Sequence, residues 1–420
     1  MTAVAPSTAP PAPAAHPAAL GAPVGARMIA FTFPGQGSQA PGMGTSWTEH
    51  PSWELVAEAS EAADRDVAHL LLDATSDELR ETRNSQLATV VASLVVLDAV
   101  ERLGVQPAVY AGHSVGEYTA LVASGAVAFE DGVRLVVERG EAMQLASEEH
   151  HGTMAAVIGL DDDKVEVACE RVGEGVWVAN YNGPGDVVIA GSLAAMVEAE
   201  RAAKDLGARR LLPLAVSGAF HTPYMAPAQD RVRKAVAATE LRDPDLPVVA
   251  NVDAEAHSAG TDWAGLLDEQ LCNPVRWRQS LYLLDDMGAT TFVELGPGDS
   301  LTGMTKRTLP GSRSMAVSRP DQLDRLLELL HGPVDEPSGA HEGEHLFATE
   351  RVVVSPAAGL FAPAPALAAG LALEPGQVIG HVGDQPVVSP FRGTVVGVLA
   401  VAAERVIASQ PIAWLRTAAG

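Results

Sequence analysis

The sequence predicts an α/β protein with a mostly parallel sheet, a smaller inserted subdomain and a separate all-β module at its end. Three observations lead to this class. Strand and helix patterns alternate over most of residues 28–330, which is typical of a parallel sheet covered by helices. A Gly-x-Ser-x-Gly turn at Gly112–Gly116 joins an apolar strand to an apolar helix, as in hydrolase-like α/β domains. From residue 351 the pattern changes to short Val-rich strands between Gly and Pro.

Composition limits the possible functions. The chain has 420 residues, of which 47% are hydrophobic, so more than one domain core is expected. A formal net charge of −25 argues against nucleic acid as a partner. No apolar run has the length of a membrane span, and residues 1–27 read as a disordered Ala/Pro-rich leader without the pattern of a signal peptide. Cys169 and Cys272 indicate a reducing cytoplasm, and neither has the spacing of a metal ligand.

The first part of the larger domain is predicted over residues 28–150. Its expected elements are strand Met28–Phe33, helix Pro51–Leu72, helix Gln86–Leu103, strand Ala108–Ala111, a helix from the serine turn to about Ser124, and helix Glu130–Ala146. The Gly-rich turn Pro34–Gln39 leaves backbone N–H groups free to face a ligand. The second helix is apolar nearly all round, so we expect it to be buried.

A smaller α+β subdomain is predicted over residues 151–216. Its expected elements are strand Gly152–Gly159, helix Asp161–Val172, strands Val176–Tyr181 and Asp186–Ala190, helix Leu193–Leu206 and strand Arg209–Val216. This alternation of β and α within about sixty residues indicates a ferredoxin-like insert.

The larger domain is predicted to resume over residues 217–330. Its expected elements are helix Thr222–Ala238, strand Leu246–Val252, helices Trp263–Leu271 and Val275–Met287, strand Thr291–Leu295 and helix Ser300–Thr308. Residues 331–350 are polar, acidic and without pattern, so they are predicted to be a linker. In the β module over 351–417, Val353–Gly359 is echoed by Val387–Gly393, which indicates two similar halves.

Three side chains are candidates for chemistry. Ser114 is held at the mouth of a helix by the tight turn, where the helix end favours a developing negative charge. A serine needs a base near neutral pH, and His221, which follows a predicted strand end, is the best of the 12 histidines. Arg139 has apolar neighbours in its helix, which hints at burial and at a carboxylate partner.

Six motifs in order carry a resemblance to a known family. They are Gly35–Gln39, Gly112–Glu117, Arg139–Gln144, Phe220-His221, Gln270–Val275 and Glu294–Gly298. Together they resemble the malonyl-CoA:acyl carrier protein transacylase family, over about Met28–Leu330. The same fold forms the acyltransferase domains of polyketide synthases. The resemblance implies transfer of a malonyl group from coenzyme A to an acyl carrier protein, in polyketide or fatty-acid synthesis, with coenzyme A thioester as substrate and no permanently bound cofactor or metal.

The resemblance also implies roles for individual residues. Ser114 is the implied nucleophile and His221 its base, oriented by the backbone carbonyl of Gln270. The N–H groups of Gln36 and Val115 are the implied oxyanion hole. Substrate-binding residues are Arg139, which holds the malonyl carboxylate as a bidentate pair, together with Met143, Phe220 and, near the cleft, Asn180 and Asn182. Gly218–His221 resembles the pattern of malonyl-selective domains, in which the Phe fills the space that an α-methyl group needs.

Carrier proteins are acidic, as this chain is, so a local basic patch is needed to bind them. The candidate docking residues, which resemble positions of the family near the rim of the cleft, are Arg209, Arg210, Lys306 and Arg307. The tail resembles a biotinyl/lipoyl domain, but no lysine follows Lys306, so neither biotin nor lipoate is expected. The tail is then a docking or dimerisation module for a synthase, or an inert remnant.

Alternative functions stay open at this point. The same Ser114 and His221 pair could hydrolyse wrongly loaded acyl carrier proteins, or transfer another dicarboxylic acyl group. Arg139 favours transfer of a dicarboxylic unit, because a hydrolase of acetyl groups gains nothing from it. A third hypothesis is a non-enzymatic scaffold that organises a synthase through the β tail.

Overall fold

A computed structural model describes residues 28–331, 348–383, 385–389, 392–406 and 410–418. The predicted leader over 1–27 and most of the predicted linker over 331–350 lie outside these residues. The described chain forms two compact units, one on each side of residue 332. The α/β class predicted for the first unit and the all-β class predicted for the tail are both confirmed.

The strands of the first unit are β1 (Met28–Phe33), β2 (Val109–Gly112), β3 (Thr153–Ile158), β4 (Val176–Gly183), β5 (Asp186–Gly191), β6 (Arg210–Pro213), β7 (Val248–Val249), β8 (Ala256–His257), β9 (Ala289–Leu295) and β10 (Arg313–Val317). Its helices are α1 (Glu54–Ala63), α2 (Val67–Leu72), α3 (Thr82–Glu101), α4 (Gly116–Ala123), α5 (Phe129–Glu149), α6 (Asp162–Val172), α7 (Leu193–Asp205), α8 (Ala226–Ala237), α9 (Trp263–Gln270), α10 (Trp277–Asp286), α11 (Ser300–Thr308) and α12 (Leu323–His331).

The main sheet has the strand order β10-β9-β1-β2-β7-β8, and all its pairs are parallel except β7 with β8. β1 and β2 lie at its centre, where burial on both faces explains their nearly continuous apolar sequences. α3 and α5 pack against each other within the largest core, and most of α3 is buried, as its all-round apolar pattern predicts. The loops after β1 and β2 therefore leave the middle of the sheet side by side.

The smaller subdomain has the element order β3-α6-β4-β5-α7-β6. Its four strands form an antiparallel sheet in the order β4-β5-β3-β6. Apolar side chains of α6 and α7, such as Val165 and Met196, join strand residues such as Val157 in a core of their own. A hydrogen bond from the Tyr181 N–H to the Val275 carbonyl ties β4 to the larger domain (2.9 Å).

Several predicted boundaries are wrong for local reasons. The predicted helix Pro51–Leu72 is two helices, because Asp64 ends α1 in the left-handed region (φ 49°) and the Asp66 side chain caps α2. The predicted strand Leu246–Val252 pairs over two residues only, and the predicted strand Arg209–Val216 pairs over four. The pattern gave no prediction for β8, β10 or α12.

The second unit contains only strands among its described residues. They are β11 (Ala348–Val354), β12 (Gly359–Pro363), β13 (Ala372–Leu373), β14 (Val378–Val382), β15 (Gln385–Val388), β16 (Gly393–Val398), β17 (Arg405–Val406) and β18 (Pro411–Ala418). They form two four-stranded sheets with antiparallel pairs, ordered β11-β18-β16-β13 and β15-β14-β12-β17. The two echoed segments begin in β11 and β15, which belong to different sheets, and the strands that follow them, β12 and β16, also belong to different sheets. Their equivalent serines, Ser355 and Ser389, are both buried.

Candidate active site

The serine turn is a strained elbow between β2 and α4. Ser114 has φ 54°, in the left-handed region, which costs a non-glycine residue about 1–3 kcal/mol. A Cβ atom on Gly112 would lie 1.9 Å from the Gly116 carbonyl oxygen, and one on Gly116 would lie 2.2 Å from the Phe33 carbonyl oxygen. Only glycine fits at both flanking positions, so the sequence pattern is a steric requirement of this turn.

His221 lies in hydrogen-bond contact with the serine. Its Nε2 is 2.7 Å from Ser114 Oγ, and its Nδ1 is 2.8 Å from the Gln270 carbonyl oxygen. A carbonyl can only accept, so Nδ1 carries the proton and Nε2 is the acceptor for the serine hydroxyl. Burial, with Arg139 nearby, lowers the pKa of His221 to about 3. The imidazole is therefore neutral, and able to act as a base, across the ordinary pH range.

Arg139 projects from α5 into the same site and is fully buried. Its Nη1 donates to Gln86 Oε1 (2.7 Å), and its Nη2 donates to Gln270 Oε1 (2.8 Å) and to Ser114 Oγ (3.2 Å). All three acceptors are neutral, and burial lowers the pKa of the guanidinium. A buried cation whose hydrogen-bond partners are all neutral is suited to bind an anionic group of a ligand.

Ser114 and His221 line a cavity of about 610 Å³, and Arg139 lies behind this lining, bonded to Ser114 Oγ and to Gln86. Its lining includes the predicted site residues Gln36, Ser114, Met143, Asn180, Asn182, Phe220 and His221. Apolar side chains, among them Met154, Leu212 and Met304, line other parts of its wall. Such a wall suits an uncharged part of a ligand.

The loop after β1 packs against the elbow. A Cβ atom on Gly35 would lie 2.6 Å from the His113 carbonyl oxygen, so this approach also requires glycine. Gln36 lines the cavity beside it. Val115 directly precedes α4, whose first N–H groups, those of Gly116, Glu117 and Tyr118, donate to the backbone carbonyls three residues earlier. The two backbone segments predicted to form an oxyanion hole therefore lie next to each other.

Three contributions were not predicted from the sequence. The Gln270 side chain holds Arg139 and also donates to the Ser114 carbonyl oxygen (3.1 Å), in addition to the predicted role of its backbone. Gln86 is the acceptor for Arg139 Nη1, and Asn251 is the acceptor for the Ser114 N–H (2.7 Å). The only sequence signal for Gln86 was an amide within a helix that is apolar all round.

Three of the four predicted docking residues contact residues that line the cavity. Arg307 Nη2 bonds Asp186 Oδ2 (2.9 Å), and Asp186 lines the cavity. The Arg209 N–H donates to the carbonyl of Ile158, another lining residue, and Arg210 pairs with Ile158 in the sheet. Lys306 instead lines a second cavity of about 400 Å³, with Arg319 and Arg325. Their role in docking stays a prediction.

Metal clusters and membrane spans are both absent from the described part of the chain. Those residues contain no cluster of three or more His, Cys, Asp or Glu side chains that could hold a metal ion. None of the helices within them is long and apolar enough to cross a lipid bilayer.

Most of the first unit matches one family of known proteins. Residues 30–325 match the family model described as an acyl transferase domain. A serine hydroxyl within hydrogen-bond distance of a neutral imidazole is the arrangement that nucleophilic catalysis by serine requires.

The resemblance noted in the sequence is confirmed by curated relatives. The chain is 39% identical over 307 residues to the malonyl CoA-acyl carrier protein transacylase of Bacillus subtilis, covering 72% of this chain and 97% of that protein. It is 42% identical over 306 residues to that of Escherichia coli K12, covering 72% and 99%. The chain therefore belongs to the malonyl CoA-acyl carrier protein transacylase family.

Solved structures of similar proteins support the same family. An acyl carrier protein S-malonyltransferase from Vibrio cholerae is 39% identical with a TM-score of 0.68, covering 71% of this chain and 99% of that one. A malonyl-transacylase solved in complex with a type II polyketide synthase acyl carrier protein is 38% identical with a TM-score of 0.69, covering 72% and 99%.

Proposed function

We propose that this protein transfers a malonyl group from coenzyme A to the phosphopantetheine thiol of an acyl carrier protein, through a malonyl ester of Ser114. The observation that carries the proposal is the contact of three groups. The Ser114 hydroxyl lies within hydrogen-bond distance of both the neutral His221 imidazole and the buried Arg139 guanidinium. The names of the relatives, and the solved complex of a similar malonyl-transacylase with a carrier protein, support the same donor and acceptor.

The reaction follows from this geometry in two halves. His221 Nε2 takes the hydroxyl proton as Ser114 Oγ attacks the thioester carbon, and the N–H groups of Gln36 and Val115 stabilise the oxyanion. The C–S bond then breaks, and the thiol of coenzyme A leaves with the proton from His221. In the second half the carrier thiol gives its proton to His221 as its sulfur attacks the ester carbon. The C–O bond to Ser114 then breaks, and Ser114 Oγ takes the proton back from His221. Arg139 holds the malonyl carboxylate throughout.

Mass spectrometry of the protein mixed with malonyl-CoA and a holo carrier protein tests the proposal. We expect one malonyl group on Ser114 without the carrier, and on the carrier thiol when both are present. Ser114→Ala is expected to abolish both adducts. Free malonate or acetate with no gain of mass on the carrier indicates a hydrolase instead, and loading by another dicarboxylic acyl-CoA alone indicates a different donor.

We further propose hydrolase-like and ferredoxin-like classes for the two parts of the first unit, and a cytoplasmic location. The tail over 351–417 is proposed to be a lysine-less biotinyl/lipoyl-like module for docking or dimerisation, which carries no biotin or lipoate. The relatives match residues that make up 72% of this chain over 97–99% of their own length. Removal of residues 333–420 is therefore expected to leave the rate of malonyl transfer unchanged.

A further inference from the structure

The loop after β7 carries Asn251, a buried residue whose side chain bonds the backbone of the serine turn. We propose that Asn251 and Glu117 are positioning residues, which hold Ser114 in its strained reactive conformation. The inference rests on the proposed role of Ser114 as nucleophile, and it adds two residues that act through Ser114 without contacting the substrate.

Both polar atoms of the Asn251 side chain bond backbone groups of the turn. Its Oδ1 accepts the Ser114 N–H (2.7 Å), and its Nδ2 donates to the Gly112 carbonyl oxygen (2.7 Å). These two backbone groups lie on either side of His113, at the sharpest part of the elbow. Asn251 is only 1% exposed, so neither bond competes with bulk water.

Asn251 is itself fixed by the helix that follows the serine. Its N–H donates to Glu117 Oε2 (2.9 Å), and its carbonyl oxygen accepts from the Arg276 N–H (2.9 Å). Glu117 is fully buried in the first turn of α4. The end of β2, the loop after β7 and the start of α4 are thus joined in one closed set of hydrogen bonds around Ser114.

This arrangement has two chemical consequences. Because the Ser114 N–H is bound by Asn251, the elbow N–H that remains for an oxyanion is that of Val115. The two bonds also offset the cost of the left-handed backbone at Ser114. Without them the residue can relax toward an ordinary conformation, and its Oγ moves away from His221. A displacement of about 1 Å in a reacting atom can lower a rate roughly 100-fold.

Glu117 could act by hydrogen bonding or by charge, and the two roles differ in their response to an isosteric change. Burial raises the pKa of its carboxyl to about 8, despite the nearby Arg139 cation. A positioning role needs only an oxygen that accepts the Asn251 N–H, which Glu117→Gln keeps and Glu117→Ala removes. A role as counter-charge to Arg139 would be lost in both variants.

The test is the rate constant for acylation of Ser114 by malonyl-CoA in a single turnover, together with steady-state kcat and KM. We expect Asn251→Ala to lower the acylation rate constant about 10- to 100-fold, with KM for malonyl-CoA changed less than about twofold. Glu117→Ala is expected to lower the rate constant as well, and Glu117→Gln to restore it to within about threefold of the unaltered protein.

Asn84→Ala is the matched control. Asn84 is another buried asparagine, whose side chain bonds the Glu78 carbonyl oxygen and the Arg65 guanidinium. It is expected to lose comparable stability and to keep the normal acylation rate constant. An equal loss of rate in Asn84→Ala, a normal rate in Asn251→Ala, or a Glu117→Gln variant as slow as Glu117→Ala would each overturn the assignment.

A crystal structure of Asn251→Ala separates this inference from the proposed function. We expect Ser114 to leave the left-handed region and its Oγ to move from His221. If φ stays near 54° and the 2.7 Å contact persists, the positioning role is wrong whichever acyl group the protein transfers. If the unaltered protein fails to form malonyl-Ser114, the proposed function is wrong, and the structural comparison still decides the positioning role.

Discussion

Replacing Arg139 by alanine tests the basis of substrate selection. The guanidinium is fully buried, lies 3.2 Å from the Ser114 hydroxyl and has neutral hydrogen-bond partners. If malonyl is bound to Ser114 as proposed, its free carboxylate would lie beside Arg139, whose hydrogen-bond partners do not include a carboxylate. In Arg139→Ala the same carboxylate would enter a buried site without a partner, whereas an acetyl group has no carboxylate to leave unpaired.

The magnitude follows from the burial of the pair. Breaking a buried ion pair by removal of one partner costs about 3–5 kcal/mol. Two charge-assisted hydrogen bonds of about 1.5–3 kcal/mol each give a similar sum. At about 1.4 kcal/mol per factor of ten, kcat/KM for malonyl-CoA should fall roughly 140- to 4,000-fold. The value for acetyl-CoA should stay within a few-fold of its original level, so the selectivity for malonyl should largely disappear.

The assay is the release of coenzyme A with each thioester, measured beside circular dichroism as a check of folding. Arg134→Ala is the control, because Arg134 lies on the same helix but is exposed and paired with Asp131. It should leave both values of kcat/KM unchanged. Equal losses for malonyl-CoA and acetyl-CoA in Arg139→Ala would refute the reasoning, since the guanidinium would then serve the structure or Ser114 and not the carboxylate.

Three further predictions concern the base, the elbow and the acyl pocket. With the pKa of His221 lowered to about 3, the pH profile of kcat/KM should show no inflection near the ordinary value of about 6.5; an inflection there would contradict a buried neutral base. His221 is expected to bind a proton near pH 6.5 in the unfolded chain, but only near pH 3 in the folded protein. The part of the unfolding free energy that depends on neutral His221 should therefore be complete above about pH 6.5 and decline toward pH 3, as urea unfolding can measure. Gly112→Ala should lower the unfolding free energy by more than about 3 kcal/mol, because the new Cβ would lie 1.9 Å from a backbone oxygen. Gly265→Ala is the control, because this helical position has open space around it, and it should raise the unfolding free energy by about 0.5–1 kcal/mol. Similar urea midpoints for the two variants would contradict this prediction. Phe220→Ala should raise kcat/KM for methylmalonyl-CoA relative to malonyl-CoA about 5- to 10-fold, and an unchanged ratio would show that the ring does not limit the space beside the α-carbon.

The elements that the sequence predicts well are those whose pattern reports burial on a regular period. β1 and the apolar α3 are of this kind, because their apolar residues are the ones that become buried. The serine turn is predicted for a steric reason, because only glycine fits at both of its flanking positions. The two-residue β7 and the unpredicted β10 are different. β7 pairs with β2, which lies far away in the chain, and β10 is an edge strand whose residues are mostly half-buried, so its pattern does not report burial. The break between α1 and α2 depends on an aspartate taking a left-handed conformation, a local choice that composition does not fix.

What the sequence by itself determined is the set of candidate chemical groups: a serine on a Gly-flanked turn, a histidine after a strand, an arginine among apolar neighbours and a tail without an acceptor lysine. Those features depend on residue types and short spacings, which are read directly. What only the tertiary structure decided is the set of partners around them, such as Gln86, the Gln270 side chain and Asn251. These amides come from segments that are 28 to 156 residues from Ser114 in the chain, and folding alone brings them within hydrogen-bond distance of Ser114 or of Arg139.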